Sequence, residues 1–177
     1  MVVKVPQEIW FPNWGWLSTR IAGPQNGRVL IEIRGHSGQR SWLCALLTAP
    51  EGAVRVEGRH IYLQPGTYRA EEGQDRRGNR LIRLYPAGDS EADLIGFGVD
   101  GFVVPEASDP EVMELVQSEG HSRSGQQGDR WALVASRVGA VVAVQPYERP
   151  DPRYYRVLPE GLLPLGESDG VLAPDEW

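Results

Sequence analysis

Apolar and polar positions along this chain alternate over short stretches, and the apolar runs between them stop at glycine, proline or polar clusters. "RVLIEIR" (28–34) and "SWLCALLT" (41–48) flank "GHSGQ" (35–39), a glycine-containing connection of hairpin length. "AVRVEGRHIYL" (53–63) and "GNRLIRLYP" (78–86) continue the strand pattern. Further on, "RWALVAS" (130–136), "GAVVAVQP" (139–146) and "RYYRVLP" (153–159) are rich in β-branched and aromatic residues, which suit a pleated surface. One window departs from the pattern. "SDPEVMELVQSEG" (108–120) offers Asp109 as an N-cap, Pro110 at the first helical position, acids in the first turn, apolar Val112, Leu115 and Val116, and a closing glycine. It predicts a short helix over 109–119. The stretches 71–79 and 122–129 read as polar turns, the latter a long hairpin tip, and 166–177 reads as a C-terminal tail whose Trp177 is expected to dock on the body or on a neighbour.

Part of the pattern recurs. Gly35-His36-Ser37 matches Gly120-His121-Ser122, Gly38-Gln39 matches Gly125-Gln126, and Trp42 matches Trp131. Downstream, Gly52-Ala53-Val54 matches Gly139-Ala140-Val141, and Pro65, Tyr68 and Arg69 fall on Pro152, Tyr155 and Arg156. The offset drifts by a few residues, as it does when loops change length and strands do not. An internal duplication is therefore expected, with one β module over 1–88, a second over 89–165 and the tail over 166–177. It sets the 108–120 window opposite the strand "RVLIEIR", against its own helical signals. The fold class expected is all-β with that one short helix, the two modules packed as paired barrels or as one pseudo-twofold barrel or sandwich.

Composition supports this reading and narrows the function. In 177 residues, 21 glycines and 14 prolines favour short elements joined by turns. The first 17 residues contain neither an apolar run of signal-peptide length nor a small-residue cleavage site, so a soluble, cytoplasmic protein is expected. Cys44 is the single cysteine and sits in an apolar run, which makes a buried inert thiol the expectation and leaves no basis for a disulfide or a cysteine zinc site. Charge divides unequally: residues 1–88 carry one lysine and eleven arginines against seven acids, a net of +5, and residues 89–177 carry six arginines against seventeen acids, a net of −11. A basic half can meet nucleic acid, and opposite halves can attract a partner or a second copy.

Candidate chemistry is sparse. Two histidines in matched Gly-His-Ser loops invite a shared metal or an acid–base pair, but neither loop has the tight ligand spacing of a metal site, and Gly-His-Ser-Gly is also good turn sequence. "GFGVDG" (96–101) lacks the strand-turn-helix setting of a dinucleotide fingerprint. No nucleophile elbow or phosphate loop occurs, and the carboxylates Asp89, Glu91, Asp93 and Asp100 read as a solvated acidic stretch. No catalytic residue, metal or cofactor is assigned. The expected binding residues are Trp14, Trp16, Arg34, His36, Gln39, Arg40, His121, Gln126 and Arg130, drawn from the aromatic segment "IWFPNWGWL" (9–17) and the two loops. The leading expectation is a non-catalytic interaction or assembly protein with a protein partner or self-association and no membrane. Nucleic-acid binding through the basic first half is an alternative, and a hydrolase using His36, His121 and a carboxylate is a second.

Overall fold

A computed structural model of the chain describes residues 1–124, 127–147 and 149–166, apart from the side chain of Gln127. The tail 167–177, with Trp177, and the repeat residues Gly125 and Gln126 lie outside the described residues. The fold is all-β. Nine strands form the largest sheet: β1 (Val2–Val5), β3 (Leu17–Gln25), β4 (Arg28–Ser37), β5 (Arg40–Pro50), β8 (Gly66–Gln74), β9 (Arg80–Pro86), β10 (Leu94–Asp100), β12 (Met113–His121) and β13 (Gln127–Ser136). Their order across the sheet is β12-β13-β10-β1-β8-β9-β5-β4-β3. A three-stranded sheet joins β2 (Ile9–Trp10), β7 (His60–Leu63) and β6 (Val54–Glu57), and a four-stranded one joins β11 (Phe102–Val103), β14 (Val141–Gln145), β15 (Arg153–Leu158) and β16 (Gly161–Gly166). Among the described residues no helix is long and apolar enough to cross a membrane.

Side-chain parity decides where the cores form. On β4, Val29, Ile31, Ile33 and Gly35 face in while Leu30, Glu32, Arg34 and His36 face out, the period-2 pattern legible in the sequence. On β10 and β13 both faces are covered. Leu94 on β10 and Trp131, Leu133 and Ala135 on β13 belong to a first core, which they share with Ile31, Ile33, Leu47 and Leu63. Ile95, Phe97 and Val99 on β10 and Ala132 and Val134 on β13 point the other way into a second core, closed by Val142, Val144 and Val157 of the four-stranded sheet. The pair β10–β13 is thus a wall between two interiors. The first core takes residues from both sides of position 88 and the second only from beyond it.

Two expectations need correction. No sheet closes into a barrel: the end strand β12 lies against the outer strands β3 and β4 and against β5, but no hydrogen-bond ladder joins them. The helix over 109–119 does not form either. Asp109 opens a turn in which Val112 N–H donates to its carbonyl at 3.1 Å, and its side-chain Oδ2 accepts from the backbone N–H of Val141 at 2.7 Å. The chain then runs as strand from Met113, paired with β13. A bulge between Glu114 and Val116 places the neighbours Leu115 and Val116 both inside, and Val116, Ser118 and Gly120 alternate inward after it. That bulge mimicked a helical spacing.

The repeated letters fall on two hairpins of like order, β4–β5 and β12–β13, each with Gly-His-Ser at the end of its first strand. Their outer neighbours differ. β5 continues the sheet through a parallel pairing with β9, whereas β13 pairs antiparallel with β10.

Candidate interaction site

The two Gly-His-Ser hairpins converge. Ser37 Oγ donates to the carbonyl of Ser122 at 2.8 Å, and the thiol of Cys44 donates to the carbonyl of Glu119 at 3.1 Å, where burial pushes the thiol above the ordinary cysteine range. Both glycines are buried for a steric reason. A Cβ at Gly35 would stand 2.4 Å from the Trp42 ring and 2.6 Å from the Glu119 carbonyl oxygen; one at Gly120 would stand 2.1 Å from the carbonyl oxygen of Trp16. Gly35 is closed in by its own Trp42 and by the second hairpin, and Gly120 by the turn that carries Trp16, so neither position has room for a side chain.

The histidines have different partners. His36 lies on the outward face of the large sheet, where its Nε2 is 2.6 Å from Ser18 Oγ. His121 places Nε2 3.2 Å from Glu119 Oε1 and its ring 5.6 Å from that of Trp42. Among the described residues its buried Nδ1 has no hydrogen-bond partner. Arg34 bonds Ser41 Oγ on the same outward face, and Gln39 and Arg40 are exposed at the hairpin tip. Arg130 pairs with Glu119 at 3.2 Å and lays its guanidinium over the Phe102 ring at 4.4 Å.

Trp14 and Trp16 are set by a two-residue turn. Trp14 and Leu17 exchange backbone hydrogen bonds of 3.0 Å, and Gly15 takes a φ of 51° at the first central position, the II′ pattern. The turn is pinned to the second hairpin. Asp129 Oδ2 accepts from Trp16 N–H at 2.8 Å, and the Trp16 ring lies where a Cβ on Gly128 would meet it at 2.7 Å. Half-buried, Trp16 also meets Tyr147 edge-on at 6.0 Å.

The aromatic surface that stays open lies next to this turn. Cross-strand pairing puts Trp10, Tyr62 and Arg55 in a row on the outer face of the three-stranded sheet, while Ile9, Ile61 and Leu63 face the core. Trp10 and Tyr62 are nearly parallel, with centroids 6.3 Å apart, and Arg55 sits 4.1 Å over the far partner, Tyr62. Trp14 and His60 flank Trp10 at 6.1 and 5.6 Å. Trp10 remains 50% exposed and Val56 56% exposed, large values for side chains of this size. At the rim, Glu8 accepts from Arg55 at 2.8 Å and from Gln64 at 2.7 Å, contacts that hold its carboxyl below the usual glutamate range, and Glu57 also pairs with Arg55. Composition points to 9–17, where Trp14 and Trp16 are the expected binding residues, while Tyr62 and Arg55 come beside Trp10 only through strand register, which the letters do not show.

A groove starts at Trp10 and follows β10 along the seam between the large and the four-stranded sheets. Its first recess, about 210 Å³, is walled by Glu8, Trp10, Asp100 and Trp131, with Gly98 between them. A second, about 410 Å³, shares Gly98 and Asp100 and carries Arg149, Arg153 and Tyr155. A third, about 260 Å³, continues past Arg149 to Arg130, Phe102 and Tyr147. Asp100 is open to the groove, yet burial by its surroundings, and then the charge of Asp129, pushes its carboxyl above the usual aspartate range. Among the described residues no group of three or more histidine, cysteine or acidic side chains is placed to hold a metal. The chain matches none of the protein-family models, curated proteins or solved structures with which it was compared.

Proposed function

We propose that this protein is a non-catalytic interaction module that docks a protein partner, or a second copy of itself, on the outer face of its three-stranded sheet. The observation that carries the reading is the exposed row of Trp10, Tyr62 and Arg55, flanked by Trp14 and His60. Tryptophan, tyrosine and arginine are the residue types that dominate binding energy when they are desolvated at the centre of an interface. A ring left half open on a rigid sheet, with its neighbours already ordered by stacking, costs little further side-chain entropy to bury. The histidine loops support the same reading from the other side. Gly35 allows close approach to the second hairpin and Gly120 close approach to the turn carrying Trp16, and each ring is engaged with its own neighbour, which supports a structural role for the motif.

Arginine placement favours a protein over nucleic acid. In the first half Arg20, Arg55, Arg69 and Arg80 each pair with a glutamate, so these four guanidiniums are already engaged rather than open to phosphates. The test is light scattering of the full chain across concentration and salt, together with crosslinked partner capture by wild type and by Trp10→Ala/Tyr62→Ala. The expected result is self-association, or a specific partner, lost in the doubly substituted chain while its circular dichroism and melting stay native. A chain that remains monomeric throughout and retains no partner in a Trp10-dependent way overturns the proposal.

A further inference from the structure

We infer that the recess beside Trp10 receives a lysine or arginine side chain carried by an extended segment of the partner protein, whose backbone continues along the β10 groove. The inference rests on the interaction reading above and names the chemistry of the partner. Shape is the first argument. At about 210 Å³ the recess is smaller than the cavities that enclose whole small molecules, and it opens at Gly98 and Asp100 into a longer groove. A small recess leading into a groove suits one side chain of a continuing chain. Gly98 keeps it open, for a Cβ there would stand 3.1 Å from Ile9 and 3.4 Å from the Trp131 ring.

Charge is the second argument. Among the described residues, the side chains that wall the recess include two carboxylates and no cation. Glu8 is already engaged by Arg55 and Gln64. Asp100 has neither a hydrogen-bond nor an ion-pair partner among the described residues, although Arg149 and Arg153 border the neighbouring recess. An arriving ammonium or guanidinium relieves the repulsion between Asp100 and Asp129 and meets the exposed Trp10 ring, whose face attracts cations more strongly as water leaves.

The test pans a 12-residue random peptide display library on the immobilised full chain, then titrates the selected peptides by calorimetry against wild type and variants. Selected peptides are expected to share a lysine or arginine, and its replacement by norleucine or citrulline to weaken binding at least tenfold. Asp100→Asn is expected to cause a comparable loss. Selected peptides without a common cation, or affinities indifferent to Asp100→Asn, overturn the inference, as does a selection that enriches nothing. Spermidine that binds in the recess as tightly as the peptides also overturns it, because the occupant is then a free polyamine. The two levels separate cleanly: partner binding that needs Tyr62 but ignores Asp100 leaves the interaction reading standing and removes this one, whereas loss of both dependences removes both.

Discussion

Replacing Gly120 by alanine tests whether the glycine of the repeated motif is the element the fold requires. The added methyl would stand 2.1 Å from the carbonyl oxygen of Trp16, 2.6 Å from its carbonyl carbon and 2.8 Å from its Cβ. The nearest atoms are backbone, and that backbone is tied down on both sides: Trp16 N–H donates to Asp129 and Trp16 O accepts from His36 N–H at 2.9 Å. The turn cannot step back without breaking one of these bonds, so the substitution carries an overpacking penalty of about 1–3 kcal/mol plus a strained or lost hydrogen bond of about 1 kcal/mol. At roughly 2–4 °C per kcal/mol for a chain of this size, the melting temperature falls by about 5–15 °C. Gly52→Ala is the matched control, because a Cβ there meets nothing within 4 Å, and its melting point stays within roughly 2 °C of wild type. Differential scanning calorimetry of both variants, with His121→Ala alongside, separates the roles. A Gly120→Ala protein that melts with wild type, or a His121→Ala protein that loses as much as Gly120→Ala, refutes the reasoning that close backbone approach accounts for the motif.

Other expectations follow from the same contacts. Trp131→Ala, which empties a site 1% exposed in the first core, costs about 3–5 kcal/mol and shows as a large loss of melting temperature, whereas Trp10→Ala changes stability by under about 1 kcal/mol because the ring is half open. Asp129→Ala removes the carboxylate that accepts from Trp16 N–H and costs about 1.5–3 kcal/mol, read by urea denaturation. Asp100 has a raised carboxyl pKa in the folded state, so between the ordinary aspartate value and the raised one the native chain binds more protons than the unfolded chain, and this group's contribution to stability falls as pH rises through that window. Asp100→Asn removes the effect, so the variant gains stability relative to wild type as pH rises from about 4 toward neutrality. A melting-temperature difference that is flat or opposite in slope over that range shows that Asp100 is not held in an unfavourable setting.

How much of this was legible in the letters depended on whether one face of a strand was enough to explain it. Residues 28–34 alternate because one face of β4 is buried and the other is not, so their strand could be read directly. Residues 96–101 stand out only as an incomplete glycine fingerprint, because β10 buries side chains in two different cores and shows neither clean alternation nor a long apolar run. Residues 109–119 misled because Pro110, the acids and the Val112, Leu115, Val116 spacing all satisfy helix rules locally, and pairing with β13 overrode them. The binding face was half legible. The tryptophans stand out in 9–17, but Trp10, Tyr62 and Arg55 come from three strands, and Glu8, Asp100 and Trp131 meet only after β10 has been laid beside β1 and β13.

The seam that hid from the sequence is also where the candidate groove lies, and the two facts have one cause. A strand pair that serves as the wall of two interiors must end somewhere at the surface, and there the edges of both sheets diverge and leave a furrow between them. On β10 that exit falls at Gly98 and Asp100, the two positions of the strand that are exposed, while Leu94, Ile95, Phe97 and Val99 stay in the cores. A larger residue at 98 would fill the furrow against Ile9 and Trp131, and a neutral one at 100 would remove the carboxylate that, among the described residues, has no ion-pair partner. Packing alone does not ask for an aspartate at 100, since burial and Asp129 both oppose its ionised form. An exposed carboxylate at the mouth of a recess walled by Trp10 and Trp131 is placed to meet a cation entering the recess, which is the geometry the proposed partner side chain requires.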